Sequence, residues 1–255
     1  MVELTSLPDR PDSERLGKMR SVLRGLPVEM EMSLLPEATT LRMEEIGWQA
    51  FDSSKEGEFA WSGIEAAGHH MLALDRVLDM AIAPWVLGRA SLEASARVAW
   101  LRDQSITPSE RTKRSLALRL DDLQALKKKA YQSVHDRYYE DIQKEAEGLG
   151  LAVDSLKDTV PGNARMVEDA LGMGAFYREF SPFVHSKYYS QVNVVHSDRK
   201  DDTKVAIMIK VVVWAYSIAS WRFFQTRNLP CEQLESTLGQ HRLDVDLPPE
   251  FWTHS

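Results

Sequence analysis

The residues best suited to chemistry lie in one short run, Tyr177-Arg178-Glu179-Phe180-Ser181-Pro182-Phe183-Val184-His185. An arginine can grip a phosphate through two parallel N–H donors, and a histidine can exchange a proton near neutral pH. Ser181-Pro182 has the form of a helix N-cap followed by the first helical residue. Unpaired amides at such a helix start favour an anion. Tyr177 and Ser181 add hydroxyls nearby. Arg178, His185, Tyr177 and Ser181 therefore form a candidate catalytic set, able to activate a ribose 2′-hydroxyl and to stabilise charge developing on phosphorus. The spacing alone carries no weight, because a chain with seven histidines yields such Arg–His pairs by chance. What raises the segment is its setting, a helix start flanked by Tyr177, Tyr188 and Tyr189. The competing reading makes Ser181 and His185 a structural hydrogen-bonded pair.

Other constellations are weaker. Arg89, Glu93 and Arg97 are spaced i, i+4, i+8 and form an ion-pair ladder on one helix face. It is either a buried structural network, a solvated face, or a means of orienting a ligand. His69-His70 with Glu65, Asp75 and Asp79 suggests metal, yet adjacent histidines on a helix point about 100° apart, and no His-Glu-x-x-His or paired Glu-x-x-His pattern is present. Asp121-Asp122 has no third aspartate four residues on, which rejects a prenyl-diphosphate site. There is no Gly-rich phosphate loop and no Gly-x-Ser-x-Gly elbow. Cys231 follows Pro230 without a neighbouring base. No metal and no cofactor is expected. Lys127, Lys128 and Lys129 read as a solvated helix face, or as a backbone contact if RNA is bound.

The elements that must position these residues are helical. From Ala60 to Ala83, Ile64, Met71, Leu74, Val77, Leu78 and Ile82 keep to one broad face, and Pro84 breaks the helix. Arg89–Arg102 is a second helix, rich in Ala and Ser, which lets neighbours approach closely. Thr107-Pro108-Ser109-Glu110 is a helix start. The next helix is expected from Ser109 to Gly148, about 60 Å, with a break near Tyr131–Tyr139. A short helix covers Arg165–Leu171, one helix ends near Phe180, and another starts at Ser181. Lys204–Gln225 is too long for a strand despite its Val and Ile content. Near the N-terminus a short helix carries Leu16, Met19, Val22 and Leu23, and Gly25 and Pro27 end it. Glu232–Gly239 adds a short helix near the C-terminus. Trp85, Trp100, Trp214 and Trp221 fall on apolar faces, whereas Trp48, Trp61 and Trp252 are left to pack extensions or line a dimer interface.

Composition bounds the rest. The chain has 255 residues, 44% hydrophobic and 27% charged, with only 13 Gly and 11 Pro. That excludes a disordered or collagen-like chain and disfavours a turn-rich β-sandwich. One cysteine excludes a disulfide scaffold and fits a cytoplasmic location. The charge-free stretch Val211–Trp221 is 11 residues long, short of a bilayer span, so no membrane partner is expected. A net charge of −7 argues against a general nucleic-acid coat. Charge is uneven, however: Arg111–Lys129 carries +5 and the remainder −12, leaving room for a local basic face.

The fold expected is all-α: a single helical bundle of five or six main helices in residues 60–228. A loosely packed N-terminal extension (1–59) precedes it and a C-terminal tail (229–255) follows. The segment YREFSPFVHS, with RASLEASARVAWL and the basic helix RTKRSLALRLDDLQALKKKA, resembles a group of actinobacterial helical proteins that are similar to distant members of the HEPN superfamily. The similarity covers roughly residues 60–225 and is one of pattern. It implies a small helical bundle and a metal-independent ribonuclease or RNA-binding role in a toxin–antitoxin or defence system. It further implies action as a homodimer, with RNA and an antitoxin or other protein as partners. Superfamily sites use an Arg and a later His with four to six residues between them. On this resemblance Arg178 would hold the scissile phosphate and His185 would be the general acid and base, with Tyr177 or Ser181 assisting. This chain differs in having Glu179 directly after the arginine and Pro182 inside the segment. The alternative is a non-catalytic helical interaction or small-ligand-binding protein.

Overall fold

The computed structural model describes residues 13–43, 55–80, 82–123, 131–184, 202–226 and 236. Among the described residues there is no strand, and the fold is all-α. The helices are α1 (Ser13–Met43), α2 (Lys55–Val77), α3 (Ala83–Leu101), α4 (Pro108–Leu123), α5 (Gln132–Gly148), α6 (Asn163–Leu171), α7 (Gly174–Val184) and α8 (Asp202–Thr226). A 3-10 turn covers Val153–Leu156. Apart from α1, which lies in the expected extension, seven helices are described where five or six main ones are expected.

α1 departs most from expectation. It runs through Gly25 and Pro27 instead of ending there. Met19, Val22, Leu23, Leu26 and Met30 recur on one face and are all buried, and each such side chain gains about 1.5–3 kcal/mol on burial. Together they outweigh the ~3 kcal/mol that an interior proline costs. Pro27 is itself buried and packs against Gly68 of α2. Arg20 then fastens α1 to the end of α2: its Nε donates to the Asp75 carboxylate at 3.1 Å and its Nη2 to the Asp75 carbonyl at 3.0 Å. Residues 19–30 are thus part of the main core and not a loosely packed extension. The expected helix at 232–239 lies outside the described residues apart from Ser236, as do Trp48 and Trp252.

α8 is apolar all round and central, as expected of a core helix. Ile209, Val211, Val212, Val213, Ala215, Tyr216, Ala219 and Phe223 are buried. The helix extends well beyond the 11-residue apolar stretch. By length and composition Thr203–Thr226 suffices to cross a bilayer, and 61% of its apolar window is buried inside the protein. Trp61 joins this core by packing against the Phe223 ring at 5.9 Å.

α2 and α3 lie close together because Gly63 permits it. A Cβ on Gly63 would sit 2.5 Å from Val98 Cγ2. Nearby, Ser91 on α3 donates to the Ala67 carbonyl of α2 at 3.1 Å. Gly63→Ala is therefore expected to destabilise the protein by about 1–3 kcal/mol through overpacking, despite the higher helix propensity of alanine. Urea denaturation checks this, and pairing the change with Val98→Ala is expected to recover most of the loss.

The stretch from Ser109 to Gly148 holds two helices, and Tyr131, where a break is expected, is the residue before α5 and is not α-helical. α4 starts at Pro108 as expected, with Thr107 Oγ1 accepting the Glu110 amide at 3.2 Å. It is described to Leu123, and α5 opens at Gln132. The two pack on each other around a second, smaller core of Leu116, Leu120, Leu123, Ile142, Ala146 and Leu156. Folding back buries apolar faces that a single 60 Å rod would leave in water. Gly150, at φ +70°, follows the end of α5.

α6 ends at Gly172, whose φ of +68° is the left-handed conformation that glycine adopts without strain. The Gly172 amide donates to the Glu168 carbonyl at 2.9 Å, the single closing bond of an αL cap, and the Met173 amide reaches the Val167 carbonyl at 3.4 Å. The Glu168 carboxylate accepts the Gly174 amide at 2.9 Å, at the start of α7. This tight corner lays α7 across the first half of α3. There Phe180 meets the edge of Trp85 at 5.6 Å.

Candidate functional site

α7 carries the segment singled out above, and its two faces do different things. Tyr177 and Phe180 are buried, while Arg178 and Glu179 are exposed. The helix continues unbroken through Ser181-Pro182 to Val184, so Ser181 is not an N-cap and the unpaired amides expected after it are inside a helix. The Ser181 hydroxyl instead donates to the Tyr177 carbonyl one turn back, at 2.7 Å, a local bond that serine makes readily in helix interiors. Pro182 has no amide with which to meet the Arg178 carbonyl. The expected anion cradle at Ser181 is therefore absent.

Tyr177 is also drawn away from Arg178. Its hydroxyl donates to Glu93 Oε1 at 2.8 Å and accepts from Arg89 Nη2 at 2.5 Å. Arg89 Nε donates to the same Glu93 oxygen at 2.8 Å, and the guanidinium lies 4.5 Å from the centre of the Tyr177 ring. Burial pushes the Tyr177 phenol up from its ordinary value, and the hydrogen bond and charge of Glu93 push the same way, against the opposing pull of Arg89. This closed set clamps α7 to α3. Arg97, the third member of the expected ladder, does not join it. It turns to α4 and donates to Asp122 at 2.7 Å, with Asp121 at 3.9 Å. One ladder on one helix thus becomes two cross-links to two different helices.

The clamp gives a prediction. Tyr177→Phe is expected to cost about 1–2 kcal/mol, because the half-buried Glu93 loses a donor. The sign of the pH effect follows from the raised phenol pKa. The Tyr177 contribution is full below the ordinary tyrosine value of 10.0 and is lost as pH rises through the higher folded-state value. Urea unfolding of both proteins from pH 8 to 11 measures this, and the gap between them should narrow at the alkaline end.

His185, the other half of the expected pair, lies outside the described residues, as do Tyr188, Tyr189, Lys127, Lys128, Lys129 and Cys231. The expected basic face loses part of its charge to the fold. Arg114 donates to the Trp100 carbonyl at 2.7 Å and covers the Trp100 ring at 4.6 Å. Arg111 donates to the Ile106 carbonyl at 3.2 Å and Arg119 to Glu145 at 2.9 Å. Two of these arginines satisfy carbonyls at and beyond the end of α3, where a positive charge also complements the helix dipole. Arg222 of α8 does the same for the Ala99 carbonyl at 2.8 Å.

His69 is exposed and His70 half-buried. Burial pushes the His70 imidazole below its ordinary value, and the charge of His69 adds to the shift. Among the described residues no three His, Cys, Asp or Glu side chains are placed to hold a metal ion.

Sequence reasoning missed two sites. One is the buried Arg102, which pairs with Glu56 at 3.0 Å and lies 5.3 Å from the Phe223 ring. The other is a cavity of about 450 Å³ walled by α2, α4 and α5. Neither has a periodic or motif signal, since both join residues far apart in the chain. Compared with protein-family models, curated proteins and solved structures, the chain has no match, so its function is read from its own residues.

Proposed function

We propose that this chain is a HEPN-like, metal-independent ribonuclease or RNA-binding protein in which Arg178 holds a backbone phosphate and His185 moves the proton. The observation that supports the reading is the state of Arg178. Its side chain is exposed on the outer face of α7, and it makes no ion pair among the described residues. By contrast Arg89, Arg97, Arg102, Arg111, Arg114 and Arg119, in α3, at its C-cap and in α4, are all engaged. In sequence His185 comes next after Val184, the last described residue of the helix that presents Arg178.

In the reaction, the ribose 2′-oxygen attacks phosphorus and the bond from phosphorus to the 5′-oxygen breaks. His185 accepts the 2′-hydroxyl proton, and a proton is returned to the departing 5′-oxygen. The Arg178 guanidinium offsets the charge gathering on the phosphoryl oxygens. The products are a cyclic 2′,3′-phosphate and a 5′-hydroxyl. Tyr177 and Ser181 are not part of this scheme, since their hydroxyls are already bonded within the fold.

The test is incubation of the purified protein with total RNA, with and without EDTA, beside His185→Ala. Cleavage that resists EDTA and disappears in the variant supports the reading. Failure of the wild type to cleave or bind RNA overturns it. A second reading, a non-catalytic helical interaction or small-ligand-binding protein, is favoured by one observation. Tyr177, the most chemically equipped residue of the segment, is turned inward to the Arg89–Glu93 pair.

A further inference from the structure

The cavity of about 450 Å³ is lined by residues of both cores: Phe59 packs against the main one, and Leu123 and Ile142 belong to the second. α2 forms one wall, α4 the floor and α5 the opposite wall. Its volume is in the range of small-molecule sites, about 300–1,000 Å³.

The lining chooses the ligand. Phe59, Leu123 and Ile142 give an apolar base. Tyr138 stands at the rim with 52% of its surface exposed, although it is a large aromatic residue. The charges that line the cavity are Glu58, Arg119, Asp122 and Asp141. Arg119 is held by Glu145 at 2.9 Å, and Asp122 by Arg97 at 2.7 Å. That leaves Glu58 on α2 and Asp141 on α5, from opposite walls, with no ion pair among the described residues. An apolar pocket bearing two carboxylates with no ion pair among the described residues repels anions, and a neutral donor offers these carboxylates a hydrogen bond but no opposite charge. A positive ligand supplies the missing charge, and the face of Tyr138 attracts a cation further. An inorganic cation would leave the apolar base unfilled.

We propose that this cavity binds a small organic cation, an ammonium group carried on an aromatic body. The ammonium sits between Glu58 and Asp141 beside Tyr138, and the body rests on Phe59, Leu123 and Ile142. The site is remote in sequence from α7, and the proposal stands whether or not the protein cleaves RNA.

The probe is 2-phenylethylammonium, with neutral 2-phenylethanol and anionic phenylacetate as controls, titrated into the full chain at neutral pH and followed by calorimetry and by NMR. The ammonium is expected to bind about tenfold or more tightly than the alcohol, and phenylacetate not at all. The double variant Glu58→Gln/Asp141→Asn is expected to lose about tenfold or more of the ammonium affinity and to bind the alcohol as before. Tyr138→Leu, at an exposed position, is expected to weaken the ammonium several-fold and serves as the second variant if the double one folds poorly. Arg178→Ala should bind the probe like the wild type, which separates this site from the one on α7. Equal binding of ammonium and alcohol, no binding of the ammonium, or binding that persists in both variants overturns the proposal.

Discussion

Arg102→Ala is expected to destabilise the protein by about 3–5 kcal/mol, the largest stability effect of any single charge removal among the described residues. The Arg102 side chain is 1% exposed and that of Glu56 11% exposed, and their charged groups meet at 3.0 Å. Removing the guanidinium strands a carboxylate away from water, and the desolvation already suffered by Glu56 is no longer repaid by its partner. The change also opens a cavity beside Phe223, whose ring lies 5.3 Å from the guanidinium. For a chain of this size the midpoint of thermal unfolding should fall by about 10 °C. The double change Arg102→Met/Glu56→Gln is expected to recover more than half of the loss, because neither charge is then stranded and the aliphatic volume is kept. Urea and thermal denaturation of the three variants check this. A single variant within about 1 kcal/mol of wild type would show that water reaches the pair.

The second large effect is on the proposed RNA cleavage. Arg178→Ala is expected to reduce RNA cleavage about 100-fold or more, since a charge-assisted contact to the phosphoryl group is lost where charge develops. His185→Ala is expected to do at least as much. Arg178→Ala should not cost stability on the scale of Arg102. Arg178 is exposed on α7, with no ion pair among the described residues, and surface substitutions of that kind usually stay within about 0.5 kcal/mol. Ser181→Ala is expected to leave cleavage unchanged, because its hydroxyl is engaged with the Tyr177 carbonyl.

The parts of the fold that were legible share a local cause. Pro108 in the first turn of α4, Gly172 at the end of α6 and the apolar length of α8 act through the backbone and solvent at one place in the chain. The misread parts are those where tertiary burial overrides a local signal. Gly25 and Pro27 spell a helix end, yet four fully buried apolar residues around them keep α1 going. Ser181-Pro182 spells a helix start, yet Phe180 is buried against Trp85 and α7 runs on. The candidate site divides in the same way. The i, i+4 pairing of Arg89 with Glu93 was legible, because both partners lie on one helix. The arrival of Tyr177 from 84 residues away was not, nor was the departure of Arg97 toward α4. Pairwise spacing shows which residues share a face and says nothing of what faces them.

The most direct measurement compares Arg178→Ala and Tyr177→Phe side by side, each assayed for EDTA-resistant RNA cleavage and for thermal midpoint. The two residues are adjacent on α7 but point to opposite environments. If the outer face does the chemistry and the inner face holds the helix, Arg178→Ala loses cleavage at an unchanged midpoint. Tyr177→Phe then keeps its cleavage and unfolds at a lower temperature. Cleavage that survives Arg178→Ala in full, or that vanishes in Tyr177→Phe while the protein stays folded, would contradict that division of α7.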